Sequence, residues 1–292
     1  MLCPDGNRAW GQAVGRSAGS VPRRQLARQL RLLRERSSLT QDEAAVQLDF
    51  SASKLGRIEN GQQDIDVHWV RSMLDLYNAP EDWSRLISLA RLARQRGWWR
   101  GYGLDDRGYV PLEASATLVR EFNVTVVPGL LQTAEYAWAL FGSKLVGSST
   151  QERERDVEVR MVRQRRLHSE DDPLQFVTIL DESVLHRPVG GLEVLHHQLA
   201  HLVIATELDT VCLQVLPTQA GAHPGLDGTF YLLNFGDLGA PDLAYVEHVA
   251  GSVHLEKDEE VSRCNLAFER LRSAALSPSD SVELIERLLA AR

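Results

Sequence analysis

The chain has 292 residues, a formal net charge of −8, 43% hydrophobic residues and 25% charged ones. That length admits one large domain or two ordinary ones, and the composition is that of a soluble folded protein. No apolar run approaches the ~20 residues of a membrane helix, and residues 1–21 lack an apolar core of signal-peptide length, so a flexible tail on a cytoplasmic protein is expected. From Pro22 to Arg96 the pattern is helical in short pieces. "RRQLARQLRLLRERS" sets Leu26, Leu30 and Leu33 on one helical face. "TQDEAAVQL" opens with Thr40 and has Glu43 three residues on, which predicts a capping box. Ser51 is placed to cap "ASKLGRIEN", and Gly61 to stop it. "DVHWVRSMLDLYN" and "EDWSRLISLARLARQR" complete five helices, with Asn78, Ala79 and Pro80 between them.

"GWWRGYG", residues 97–103, breaks the helical run and marks the domain boundary. The body, 97–292, opens with mixed elements and then a helix from about Thr133 to Phe141. "SSTQERERDVEVRMVRQRRL" predicts a long charged helix. "LQFVTIL", "TVCLQVLP", "GTFYLLNF" and "LAYVEHV" are strand-like runs; a helix near 192–206 separates the first two, and two helices close the chain. The expected fold is an all-α domain at 22–96 joined to an α+β domain at 97–292, whose sheet is mainly antiparallel. The cysteines, Cys3, Cys212 and Cys264, are distant and odd in number, so they predict neither a disulfide framework nor a metal site.

The negative total hides an uneven distribution. Residues 1–96 hold 15 Lys and Arg against 11 Asp and Glu, a surplus of +4; residues 97–292 hold 17 against 29, a balance of −12. A mildly basic head on an acidic body is compatible with nucleic acid at the head alone. Two short helices joined by a tight turn, the second polar and basic, meet the steric demand of the DNA major groove. Ala44, Ala45, Leu48, Leu55 and Ile58 are the positions that pack the pair, leaving Ser53, Lys54 and Arg57 outward. Arg57 could form a bidentate contact to guanine, Lys54 and Ser53 could meet bases or phosphates, and Gln41 could reach a phosphate. Helical hairpins with solvated basic faces are also common, so periodicity alone leaves both readings open.

"TQDEAAVQLDFSASKLGRIENG" resembles the Xre/Cro-repressor helix-turn-helix over its whole length. The resemblance implies a recognition helix at about 51–60, with Gln41, Ser51, Ala52, Ser53, Lys54, Arg57 and Asn60 at the DNA. It also implies a structural ion pair between Arg34 and Glu59. The family usually has glycine in the turn; Asp49 stands here, a residue that tolerates left-handed backbone. In the body, "GWWRGYG", "VPGLLQTAEYAWAL", "DESVLHRPVGG", "LPTQAGAHPGLDGTFYLLNF" and "AYVEHVAG" resemble an actinobacterial WhiJ-like group of regulators with an Xre-type head. That resemblance implies a homodimeric transcriptional regulator whose body receives a ligand or a small partner protein. The alternative it leaves is an antitoxin-like protein that holds a partner and autoregulates its operon.

Enzyme chemistry finds little support. His197 and His201 have the four-residue spacing of a zinc-protease helix, but Gln198 stands where that motif has its glutamate, and an amide cannot serve as general base. Leu192, Leu195, Leu199 and Leu202 suggest an amphipathic helix instead. "GAHPGLDG" lacks the lysine of a phosphate loop, and Asp181, Glu182, Ser183 and His186 lack a nucleophile elbow. No catalytic residue, metal or cofactor is therefore expected. Trp98 and Trp99, with His223 and Asp227, are the candidates for a ligand or partner contact in the body.

Overall fold

Local caps set the helices of the head in the computed structural model, which describes residues 21–106, 108–143 and 149–291. The expected tail, Val21 apart, lies outside them. The helices are α1 (Val21–Arg36), α2 (Gln41–Gln47), α3 (Ala52–Glu59), α4 (Val67–Leu76) and α5 (Trp83–Ala93). Thr40 accepts from the Glu43 amide while Glu43 accepts from the Thr40 amide at 2.8 Å, so both orphan donors at the start of α2 are satisfied. Ser51 accepts the Lys54 N–H at 3.2 Å and Asp66 the His68 N–H at 2.9 Å, starting α3 and α4. Asp49 turns the chain between α2 and α3 with φ +54°, the left-handed region that a short polar side chain enters at least cost. Leu30, Leu55, Val70, Met73 and Leu86 are fully enclosed at the centre of the head's core.

The body is built on six strands: β1 (Leu118–Asn123), β2 (Gln175–Asp181), β3 (Val211–Leu216), β4 (Phe230–Asn234), β5 (Leu243–His248) and β6 (Gly251–Leu255). Their order is β3-β2-β1-β4-β5-β6. The pairs β1–β4, β4–β5 and β5–β6 are antiparallel, whereas β1–β2 and β2–β3 are parallel, giving a mixed, mostly antiparallel α+β sheet. The parallel pairs need crossovers. α7 (Ala134–Gly142) and α8 (Thr150–Gln164) supply the first, and α9 (Leu192–Ala205) the second. β1 and β6 are additions to the strands predicted from sequence.

Helices cover both faces. α9 and α11 (Pro278–Ala290) pack Leu195, Leu199, Leu202 and Ile285 against Phe176, Leu213 and Val215. On the other face α10 (Asp258–Ala274) lays Phe268 and Leu271 against Phe122, Ile179 and Leu232. The β3 edge is capped at Val215, which donates its N–H to Ser281 Oγ and accepts from the Leu276 N–H, each at 2.9 Å.

One cross-strand row is polar. Thr178, Glu121, Tyr231, Tyr245 and His254 stand side by side through the registers of β2, β1, β4, β5 and β6. α6 (Tyr109–Ser115) contributes Tyr109, whose ring lies 5.0 Å from Tyr231 and 5.1 Å from Tyr245. It also contributes Glu113, which accepts two hydrogen bonds from Arg163 of α8 at 2.7 and 2.6 Å. Burial pushes the Glu121 carboxyl up to about 8, against the opposing effect of an Asn123 amide donating at 2.8 Å.

The head is packed onto the body at α1. Val21 is buried in the body's core, Gln25 Nε2 donates to the Gly239 carbonyl at 2.7 Å, and Arg24 pairs with Glu256 at 2.5 Å. The segment Trp98–Tyr102 is a 3-10 turn, with Trp99 buried and its indole N–H donating to Asp106 at 2.9 Å.

Candidate nucleic-acid interface

One buried ion pair ties the second helix of the reading unit, α3, to α1. Arg34, in the last turn of α1, donates from Nε to Glu59 Oε1 at 2.7 Å and from Nη2 to Oε2 at 3.1 Å, and its Nη1 donates to the Leu39 carbonyl at 2.7 Å. The Glu59 side chain is 2% exposed and that of Arg34 10%. Gln41 adds a hydrogen bond from Nε2 to Glu59 Oε2 at 3.2 Å. A single carboxylate thus joins α1, the start of α2 and the end of α3. Gly56 sits against Gln41 so closely that a Cβ would come 3.3 Å from its amide. In the free protein the Gln41 side chain is therefore occupied by this bracket, a role its sequence position did not reveal.

Turning Glu59 inward has an electrostatic consequence. It is the single acid of α3, so the helix's outward surface presents neutral polar and basic groups only. Ser51, Ser53, Arg57 and Asn60 are exposed; Ala52 and Lys54 are half-buried. Arg57 is braced by Nε donating to Gln63 Oε1 at 3.1 Å and Nη1 donating to Ser53 Oγ at 3.4 Å. Lys54 lies with Nζ 3.5 Å from the centre of the Phe50 ring and 5.0 Å from that of Trp69, the two rings being 4.5 Å apart. This cation–π seat limits where the ammonium can point. Phe50, Gln63 and Trp69 escaped sequence reading; their only signal was an aromatic in the turn and another opening the next helix.

The body's four candidates fall in two separate neighbourhoods. Trp98 stacks edge-on to Trp99 and Tyr102, next to Asp106 and Arg100, which pair with each other. His223 accepts the Gly225 N–H on Nδ1 at 3.2 Å, with its ring edge-on to Phe122. It works there as a cap, and a Cβ on Gly225 would overlap the Phe122 ring. Asp227 is exposed in the same turn.

α9 resolves the histidine pattern. Gln198 is completely buried, accepting the Thr133 N–H at 2.8 Å and donating to the Leu131 carbonyl at 2.7 Å. It ties α9 to the start of α7, whereas His196 and His197 face solvent. Leu195, Leu199 and Leu202 are enclosed, but Leu192 is 68% exposed because the first helical turn projects past the core. Among the described residues no three His, Cys, Asp or Glu side chains are grouped to hold a metal ion, and no helix is long and apolar enough to cross a membrane.

Residues 25–86 match the model of a helix-turn-helix domain. The head thus contains a helix-turn-helix domain, which suggests a DNA-binding regulator. Residues 106–287, more than half of the chain, match the domain of unknown function DUF5753, and the chain belongs to that family. No curated protein and no solved structure matches it.

Proposed function

We propose that the chain is a sequence-specific transcriptional regulator of the Xre type, cytoplasmic and homodimeric, that seats α3 in the major groove of its operator. One observation carries this reading: α3 shows outward only Ser51, Ser53, Lys54, Arg57, Asn60 and their neutral neighbours, because Glu59 is drawn inward by Arg34. Arg57, braced from both sides, is the base-reading residue, and Lys54 and Ser53 flank it. The head's surplus of basic residues supplies the phosphate attraction, while the acidic body limits non-specific binding. The body, 97–292, is the effector and dimerisation part, receiving a ligand or a small partner protein and acting on the head through α1.

Selection from a random duplex pool with the full chain tests the reading. The expected product is one enriched motif with two half-sites about 10–10.5 base pairs apart, or a multiple of that spacing. Retention of the pool without sequence enrichment would refute it.

A further inference from the structure

Trp69 is a large apolar side chain that the head's own core does not use. α4 buries Val70, Met73 and Leu74 along one stripe, and Trp69 lies beside that stripe with 38% of its surface exposed. Its ring is nevertheless fixed. It meets the Phe50 ring with centroids 4.5 Å apart and planes tilted by 60°, and Phe50 is itself buried against the core. Lys54 Nζ stands 3.5 Å from the Phe50 centroid and 5.0 Å from that of Trp69. The indole is therefore held in place from two sides and still open to a partner.

Its place in the fold says what that partner is. Phe50 immediately precedes Ser51, the N-cap of α3, and Lys54 is the third residue of that helix. Phe50 and Trp69 thus flank the first turn of α3, the part of a reading helix whose side chains meet base edges. The major groove is about 12 Å wide, roughly the diameter of a helix with its side chains, so a group flanking that turn lies against the base pairs. Among the four bases thymine alone shows a methyl group there, and an apolar side chain reads it by contact. We infer that Trp69 is a specificity-determining residue of the interface: its exposed indole surface packs on the C5-methyl of one thymine in each half-site. Lys54, seated on the same two rings, keeps its ammonium within 5.0 Å of the indole centre. Cation and methyl reader therefore act on neighbouring base pairs, which stack ~3.4 Å apart. The inference rests on the proposed seating of α3 in the major groove and goes beyond it by assigning a base type to a residue outside α3.

Binding of the full chain to its selected operator, with each thymine replaced in turn by uracil, decides it. Uracil pairs as thymine does and differs only in lacking the methyl group. Replacement at one thymine position of a half-site should weaken binding about fourfold, the worth of burying one methyl group. Trp69→Ala should bind the thymine and uracil operators equally at that position while keeping the base preference that depends on Arg57. Trp69→Leu, which retains an apolar contact, should keep part of the difference. Melting temperatures check that both variants fold, and the uracil comparison on the unaltered chain needs no variant. Absence of any enriched operator would remove the inference together with the reading beneath it. An operator that tolerates uracil at every thymine, with Arg57→Ala still relaxing one base position, would overturn the inference alone. So would thymine–uracil differences that all survive Trp69→Ala.

Discussion

Arg34 and Glu59 meet through two hydrogen bonds, at 2.7 and 3.1 Å, across 25 residues of sequence, and Glu59 is nearly inaccessible to water. The pair is a bracket rather than a simple gain in stability, since desolvating both charges offsets much of their attraction. Removing one partner is different. Arg34→Ala leaves a buried carboxylate facing only Gln41 and should cost about 3–5 kcal/mol. Arg34→Met/Glu59→Met together should cost far less. Urea unfolding of the three chains checks this: equal losses for the single and double variants would show that the pair does not act as a unit.

Gln198→Glu would complete the zinc-protease pattern in sequence, yet no hydrolytic site is expected to follow. The side chain is buried between Thr133 and Leu131, and a carboxylate there cannot donate to the Leu131 carbonyl. A loss of about 1–3 kcal/mol is predicted, with no stoichiometric zinc. Thermal unfolding and elemental analysis are the measurements; a stable variant that takes up zinc would contradict this account of α9.

Much of this arrangement was legible in the sequence, and the rest was hidden for definable reasons. The capping box at Thr40, the Ser51 cap and the Asp49 turn are local features, fully written in adjacent residues. β2 through β5 announce themselves as β-branched or aromatic runs. β1 does not, because Arg120 and Glu121 interrupt its apolar pattern, and Glu121 is buried through contacts made far along the chain. β6 is short and exposed at the edge. The parallel pairings left one readable trace, the helix between β2 and β3, since a crossover helix is the means by which parallel neighbours connect.

Glu121 gives the body a signature in pH. Its folded carboxyl is raised to about 8, well above an ordinary glutamate. The folded chain therefore holds a proton that the unfolded chain releases between about pH 4.5 and 8. Its stabilising contribution is complete below the unfolded value and is lost as the pH rises through the folded one, with a slope of up to about 1.4 kcal/mol per pH unit. Glu121→Gln should flatten this part of the stability profile. Denaturant midpoints measured from pH 5 to 8.5 test it, and an unchanged slope in the variant would assign the effect elsewhere.

One recognition helix addresses only a few base pairs, too little for a unique genomic site. The full chain is accordingly predicted to be a dimer in light scattering and to bind its operator two chains to one duplex. A monomer that binds one-to-one with full selectivity would remove dimerisation from the proposed function.

In the proposed function α3 reads bases through Arg57. The most direct measurement is binding of wild-type and Arg57→Ala chains to every single-base variant of the selected operator. The account predicts a loss of about 1–3 kcal/mol on the parent operator, with discrimination relaxed at one base position in each half-site and kept elsewhere. An Arg57→Ala chain that binds the same operator with the same affinity and the same base preferences would contradict it.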